Sequence, residues 1–267
     1  MRSRRVPPFP SSGESGRFEE EAYARGYQSV AGLDEVGRGP WAGPVVAAAV
    51  IFPRGIRDPE IKDSKLLTAR KREELATRIK EGAVAWGLGI VGPEEIDRIN
   101  ILNASLLAMS IAFKQLRPLP DYLLIDGIHK IPWEFLVENN RQQAPPEADQ
   151  PLAETGNRQQ GVGEGIFTPA LPFQRAIKKG DRLSISIAAA SIVAKVARDQ
   201  MMVEFDRLYP EYGFARHKGY GSAAHLAALS HHGPAPIHRR SFRPVRDLLT
   251  RGFVNSLFAN NDYTSND

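Results

Sequence analysis

Two adjacent carboxylates, Asp34 and Glu35, close a short apolar run and precede Gly37-Arg38-Gly39, which sets one fixed cation between two glycines. Neighbouring side chains on an extended strand point to opposite faces, so these acids share one ligand only where the strand ends or bulges beside them. Glycine lets backbone N–H groups approach a ligand closely, and arginine suits a phosphate. Residues 30–40 therefore read as a metal site beside a phosphate or sugar site. Two further acids, Asp126 and Asp181, also sit against glycine near the ends of apolar runs. Oxygen donors without histidine or cysteine favour Mg²⁺ or Mn²⁺ over zinc. Four clustered carboxylates repel one another unless cations hold them, as in two-metal phosphoryl-transfer sites. The alternative is that each acid–glycine pair simply forms a turn, because spacing alone does not bring the acids together.

The elements that must position these groups follow from pattern. Residues 29–33 and 45–52 read as buried strands joined as a hairpin through the glycine-rich turn. Thr68 is a fitting N-cap for a charged helix over 68–81, and 84–91 is a third strand. Pro93 and two acids open a helix in which Ile96, Ile99, Leu102, Leu106, Met109 and Phe113 recur at spacings of three or four, giving one core face. Residues 121–127 form a short strand ending in acid and glycine. Residues 138–165, rich in Gln, Asn, Pro, Gly and Glu, read as a low-structure insertion. A strand over 173–177, a long helix over 184–208, a turn-rich loop over 209–221 and helices over 222–231 and 244–251 complete the chain. No internal repeat is visible, and this layout is an α/β or α+β one.

At 267 residues, with 42% hydrophobic and 25% charged residues, the chain can bury a full core in one large domain. The division expected is a flexible extension over 1–28, a catalytic domain over 29–250 and a tail over 251–267. A net charge of +4 and a pI near 9.3 lean toward an anionic partner such as nucleic acid. Cysteine is absent, which excludes disulfides and thiolate zinc sites and fits a reducing cytoplasm. No apolar run is long enough to span a bilayer. Proline-rich sequence follows the basic N-terminus in place of an apolar region, so it is not a secretory signal; a disordered basic tail over 1–20 is expected.

Six motifs occur in order: Gly32-Leu-Asp-Glu-Val-Gly-Arg-Gly-Pro40, Asp63-Ser-Lys65, Leu124-Ile-Asp-Gly127, Lys179-Gly-Asp181, Ala189-Ala-Ser-Ile-Val-Ala-Lys195 and His217-Lys-Gly-Tyr220. Carrying these, the chain closely resembles bacterial ribonuclease HII, the type 2 ribonuclease H, from about residue 30 to 249. The resemblance implies an α/β ribonuclease H-like fold: a mixed, mainly antiparallel five-stranded sheet flanked by helices, with a small helical C-terminal part. It implies endonucleolytic hydrolysis of the RNA strand of RNA–DNA hybrids and nicking 5′ of single ribonucleotides in duplex DNA, leaving 3′-OH and 5′-phosphate ends.

By the same resemblance the catalytic, metal-binding acids are Asp34, Glu35, Asp126 and Asp181, holding Mn²⁺ or Mg²⁺. Asp199 competes for the fourth place, but Lys179-Gly-Asp181 directly precedes the helix in the family pattern. Gly37, Arg38 and Gly39 match the element that senses the ribose 2′-OH and grips the adjacent phosphate, in keeping with what separates RNA from DNA. Tyr220 matches the tyrosine that stacks on the following sugar; otherwise it is an ordinary half-buried loop residue. Ser64 and Lys65 resemble substrate-backbone contacts, or are a helix cap and a solvated lysine. Lys195 and Arg198 either touch phosphates or balance the carboxylates. His217, His225, His231, His232 and His238 fit no zinc signature and read as structural or surface groups. Expected partners are RNA–DNA hybrid and ribonucleotide-containing duplex DNA, with no membrane, for a cytoplasmic monomer. Ribonuclease HIII is the nearest rival, but 1–28 is too short for its N-terminal domain. A non-catalytic hybrid binder gains nothing from clustered acids, and no P-loop motif exists.

Overall fold

A computed structural model describes residues 16–61, 67–137 and 171–250. The expectations for 1–15, for Asp63-Ser64-Lys65, for the 138–165 insertion and for the tail after 250 lie outside the described residues. The elements run α1 (Arg17–Ala24), β1 (Val30–Val36), β2 (Val45–Ile51), α2 (Ala69–Gly82), β3 (Ala85–Val91), α3 (Pro93–Lys114), β4 (Tyr122–Asp126), α4 (Trp133–Leu136) and β5 (Phe173–Ile177). A 3₁₀ turn at Gly180–Arg182 leads into α5 (Ile185–Leu208), and a second at Pro210–Tyr212 into α6 (Phe214–His217) and α7 (Ala223–His232). Residues 243–250 are helical.

The five strands lie in the order β3-β2-β1-β4-β5. β1 pairs antiparallel with β2 and β2 with β3, whereas β1–β4 and β4–β5 are parallel. The sheet is thus evenly mixed, a correction to the mainly antiparallel one expected. Hairpin-length links force antiparallel pairing only between β1 and β2; the longer connections into β4 and β5 permit parallel crossovers. Every residue of β2 is buried, and successive residues serve opposite faces. Val45, Ala47, Ala49 and Ile51 pack with Ala108, Met109 and Ala112 of α3. Val46, Ala48 and Val50 pack with Leu75 and Ile79 of α2 and Ala189, Ile192 and Val193 of α5. Each large aliphatic side chain removed from water in this way contributes about 1.5–3 kcal/mol.

Two expectations change. Residues 17–24, expected within the flexible extension, form α1 and pack on the sheet, with Ala22 buried against Val30, Tyr122 and Leu124. α3 is not one continuous cylinder. Asn100 takes φ 68°, and its side-chain oxygen accepts from the N–H groups of Leu102 and Asn103, capping a second helical segment after a kink. Ile96, Met109 and Phe113 are buried all the same. α3 is the one described helix long and apolar enough to cross a membrane by length and composition, and half of it is buried in this core.

Thr68 caps α2 as expected, accepting from the Lys71 N–H. α5 begins at Ser184, which accepts from the Ile187 N–H, and crosses β1 so closely that a Cβ on Gly32 would lie 2.2 Å from the Ser186 carbonyl carbon. That contact explains a glycine inside a buried strand, and it sets the height of α5 above the acids of β1.

Candidate active site

The acids converge where β1 and β4 end. Leu33 pairs with Ile125, and Asp34 and Asp126 come next along these parallel strands. Asp34 is 6% exposed; its Oδ1 accepts from the Glu35 N–H at 2.7 Å, and Ser191 of α5 hydrogen-bonds its carboxyl. Burial above all, then the charges of Glu35 and Asp126, pushes the Asp34 carboxyl well above the usual range. Burial also raises Glu35, although Arg38 opposes the shift through an ion pair at 3.2 Å. The second Glu35 oxygen, Oε2, is buried with no hydrogen-bond partner. Asp126 Oδ1 accepts from the Gly180 N–H at 2.7 Å, which ties the end of β4 to the 3₁₀ turn carrying buried Asp181.

Asp34, Glu35 and Asp126 are therefore brought within electrostatic reach, with Asp181 one residue beyond the contact to Asp126. Among the described residues, no three His, Asp or Glu groups stand close enough together to hold one ion. The raised Asp34 and Glu35 carboxyls and this wider spacing describe the same like-charge cluster, and Arg38 occupies one Glu35 oxygen. The donor set fits a hard divalent cation all the same: every donor is a carboxylate, and Glu35 presents a buried oxygen that lacks a partner.

Beside the acids runs the Gly37–Gly39 loop. Gly37 takes φ 98°, and a Cβ there would meet Arg198 Nε at 2.3 Å, so only glycine suits the position. A Cβ on Gly39 would lie 3.6 Å from Tyr220 Cε1; Tyr220 is 44% exposed and borders the same cleft. The loop is stitched to the C-terminal part by Trp41 N–H to Gly219 O, Gly43 N–H to Ile237 O and Arg239 N–H to Trp41 O, each at 2.8 Å. Ser64 and Lys65 lie outside the described residues.

Arg198 does neither of the things its position on a helix face suggested. It is fully buried and donates to Pro44 O at 2.9 Å, Lys218 O at 3.0 Å and Ala42 O at 3.2 Å. Arg239, which sequence reasoning passed over within a basic run, is equally buried. It donates to Gly37 O at 2.5 Å and to Arg38 O and Gly43 O at 3.0 Å. Burial, and then the charge of Arg198, pulls Arg239 down to about 9, which leaves it cationic at neutral pH. No local signal separates these arginines from surface ones, because their acceptors lie far away in sequence.

Asp199 pairs with Lys195 at 2.7 Å and reaches Arg72 at 3.9 Å, on the α2–α5 side of the molecule. His225 and His238 are buried with their Nε2 atoms 3.0 Å apart, and His217 stacks on His225 at 4.4 Å. These three are packing groups behind Tyr220, whose carbonyl faces His225 Nδ1 at 2.9 Å. His231 and His232 are exposed.

The sequence matches the ribonuclease HII family over residues 31–245. It is 50% identical over 232 residues to a ribonuclease HII of Geobacter sulfurreducens, covering 87% of this chain and 90% of that protein. The fold matches the crystal structure of ribonuclease H2 from Pyrococcus horikoshii with a TM-score of 0.60 at 25% identity, covering 84% of this chain and 98% of that one. It also matches Bst ribonuclease HIII in complex with Mn²⁺, at a TM-score of 0.56 and 19% identity, over 86% of this chain and 72% of that one; this second likeness is one of fold.

Proposed function

The chain belongs to the ribonuclease HII family and is a metal-dependent endonuclease of the ribonuclease H class; from that premise we propose that its cleft cuts RNA in RNA–DNA hybrids and nicks duplex DNA 5′ of a single embedded ribonucleotide. The observation carrying this reading is the meeting of Asp34, Glu35 and Asp126 at adjacent strand ends, with Gly39 and Tyr220 facing each other alongside. Asp34, Glu35, Asp126 and Asp181 would hold Mn²⁺ or Mg²⁺, with the unpartnered Glu35 oxygen as one donor. Held there, such ions would supply activation of water and neutralisation of charge on the phosphate and the leaving oxygen, the chemistry that leaves 3′-OH and 5′-phosphate ends.

The chain's own residues do the rest. Ser191 steadies Asp34, and the Gly180 N–H steadies Asp126. Arg38, half exposed beside Glu35, is free to exchange that carboxylate for a substrate phosphate. Gly37 and Gly39 bring backbone to the sugar edge, where a 2′-hydroxyl separates ribose from deoxyribose. Tyr220 offers its exposed ring to the next sugar, and Ser64 and Lys65 contact the strand backbone. We place the enzyme in the cytoplasm as a monomer.

The test is a DNA duplex carrying one ribonucleotide, incubated with wild type or Asp34→Asn, with and without Mg²⁺ or Mn²⁺. Cleavage should need the metal and vanish in the variant. A variant that still cuts, or a wild type that cuts in chelator, overturns the mechanism.

A further inference from the structure

Arg239 lies underneath the loop that borders the cleft. It is fully buried, its backbone N–H is fixed to Trp41 O at 2.8 Å, and its guanidinium lies 4.9 Å from the centre of the Phe242 ring. Asp97 of α3 anchors the next two residues, accepting from the Arg240 and Ser241 N–H groups at 2.8 and 2.9 Å. The guanidinium is thus held from behind by elements outside the cleft, and it presents a rigid planar fork of donors. Two of its bonds end on consecutive carbonyls, those of Gly37 and Arg38.

In a trans peptide the C=O and the following N–H point in opposite directions. Both peptides here are trans, since the one cis bond among the described residues is Arg117–Pro118. Drawing the Gly37 and Arg38 oxygens inward therefore turns the Arg38 and Gly39 N–H groups outward. Outward is the side on which Arg38 and Gly39 are exposed and Tyr220 lies. A loop with a positive-φ glycine has many alternative peptide orientations, and two charge-assisted bonds select one of them.

We propose that Arg239 is a positioning residue for ribose recognition: by holding two carbonyls inward it presents the Arg38 and Gly39 N–H groups to the sugar without touching substrate. The proposal rests on the reading of Gly37–Gly39 as the ribose sensor. Arg198 serves a different set of carbonyls, those of Ala42, Pro44 and Lys218, and holds the base of the loop.

Discrimination is measured as the ratio of two constants: the inhibition constant of an all-DNA duplex and the KM for the same duplex with one ribonucleotide. A lysine at 239 keeps the charge but cannot reach three carbonyls in one plane. Arg239→Lys should lower the ratio by about tenfold, the effect of losing roughly one charge-assisted hydrogen bond. A merely structural role would reduce the active fraction, and so kcat, while leaving the ratio alone. Ile79→Val, a core change remote from the loop, should lower the melting temperature at constant ratio. An unchanged ratio in Arg239→Lys, or an equal fall in Ile79→Val, overturns the proposal while the ribose-sensor reading stands. A wild-type ratio near one overturns that reading and the proposal with it. Should Arg239→Lys not fold, Arg239→Gln, which keeps a planar donor but reaches fewer carbonyls, is read by the same ratio: a fall supports the proposal and an unchanged ratio overturns it.

Discussion

At the scale of single residues, the site trades stability for charge. Asp34 is buried beside Glu35 and Asp126, and its carboxyl is raised, with burial the leading cause. A carboxyl raised in the folded state contributes stability that is fully present below its unfolded pKa and is lost as pH rises through the folded value. At neutral pH the ionised cluster is therefore a cost, and Asp34→Asn should raise stability by about 1–3 kcal/mol in chelator while abolishing cleavage. Added Mg²⁺ or Mn²⁺ should raise the melting temperature of wild type and leave that of the variant unmoved; thermal melts with and without metal check both. The buried histidines act with the opposite sign. Burial, and then the neighbouring His225, lowers His238 to about 4. A base lowered in the fold keeps its full contribution above its unfolded pKa near 6.5 and loses it as pH falls toward 4, since the unfolded chain takes up the proton first. The groups facing the pair are His217, Tyr212, Phe214 and Trp41, together with the Tyr220 and Ala235 carbonyls. Between pH 7 and pH 4, wild type should lose about 3 kcal/mol more than His238→Asn does. Denaturant melts across that range measure the difference, and parallel curves would refute the assignment.

At the scale of elements, long-range polar contacts decide how helices meet the acids. Glu19 of α1 is buried, and its Oε1 accepts from the Ser184 hydroxyl at 2.5 Å and the Ser186 N–H at 2.9 Å. A carboxylate there satisfies open donors of the first turn of α5 and suits the positive end of its dipole. Arg175 of β5 pairs with Glu21 at 2.7 Å and stacks on Phe18, so α1 also clasps the edge strand. α1 thereby braces the turn that carries Asp181 from both sides. Glu19→Ala should cost about 2 kcal/mol, from the lost bonds to a buried charge. It should also raise the metal concentration needed for half-maximal cleavage, and an unchanged metal requirement would make α1 a purely structural brace. None of this was legible in the chain. Thr68 could be read as a cap because a cap and the N–H it accepts from lie within three residues, and β2 because its apolar run is continuous. Glu19 reaches across 165 residues to Ser184, and Arg239 across 202 to Gly37; no periodicity carries such pairings. Asn100 was missed for a subtler reason: the apolar spacing continues through the kink that its side chain creates.

At the scale of the whole molecule, the site was legible as a set of acids and only the fold shows how near each comes to the others. Asp34, Glu35 and Asp126 meet because β1 and β4 are parallel neighbours, a pairing that the sequence pattern does not specify. Asp181 arrives by way of β5, and residues 138–170 stand between β4 and that strand. The described chain on either side of them carries fastenings of its own. The Gln174 side chain accepts from the Ile131 N–H at 2.8 Å and donates to Ile131 O at 3.0 Å. The Ser110 hydroxyl binds Phe135 O, holding α4 to α3. β5 itself is registered on β4 over five residue pairs, ending with Asp126 opposite Ile177. The position of Asp181 relative to Asp126 is thus set by sheet pairing and by the Gly180 bond, independently of how long the intervening link is. Replacing 138–170 with a Gly/Ser linker of about a dozen residues should change stability by no more than about 1 kcal/mol, because closure entropy varies only logarithmically with length. Cleavage of the single-ribonucleotide duplex should survive at a similar kcat and metal requirement. A replacement that melts like wild type but has a raised KM would instead make 138–170 part of the substrate surface, and a raised metal requirement would mean that the link does set Asp181.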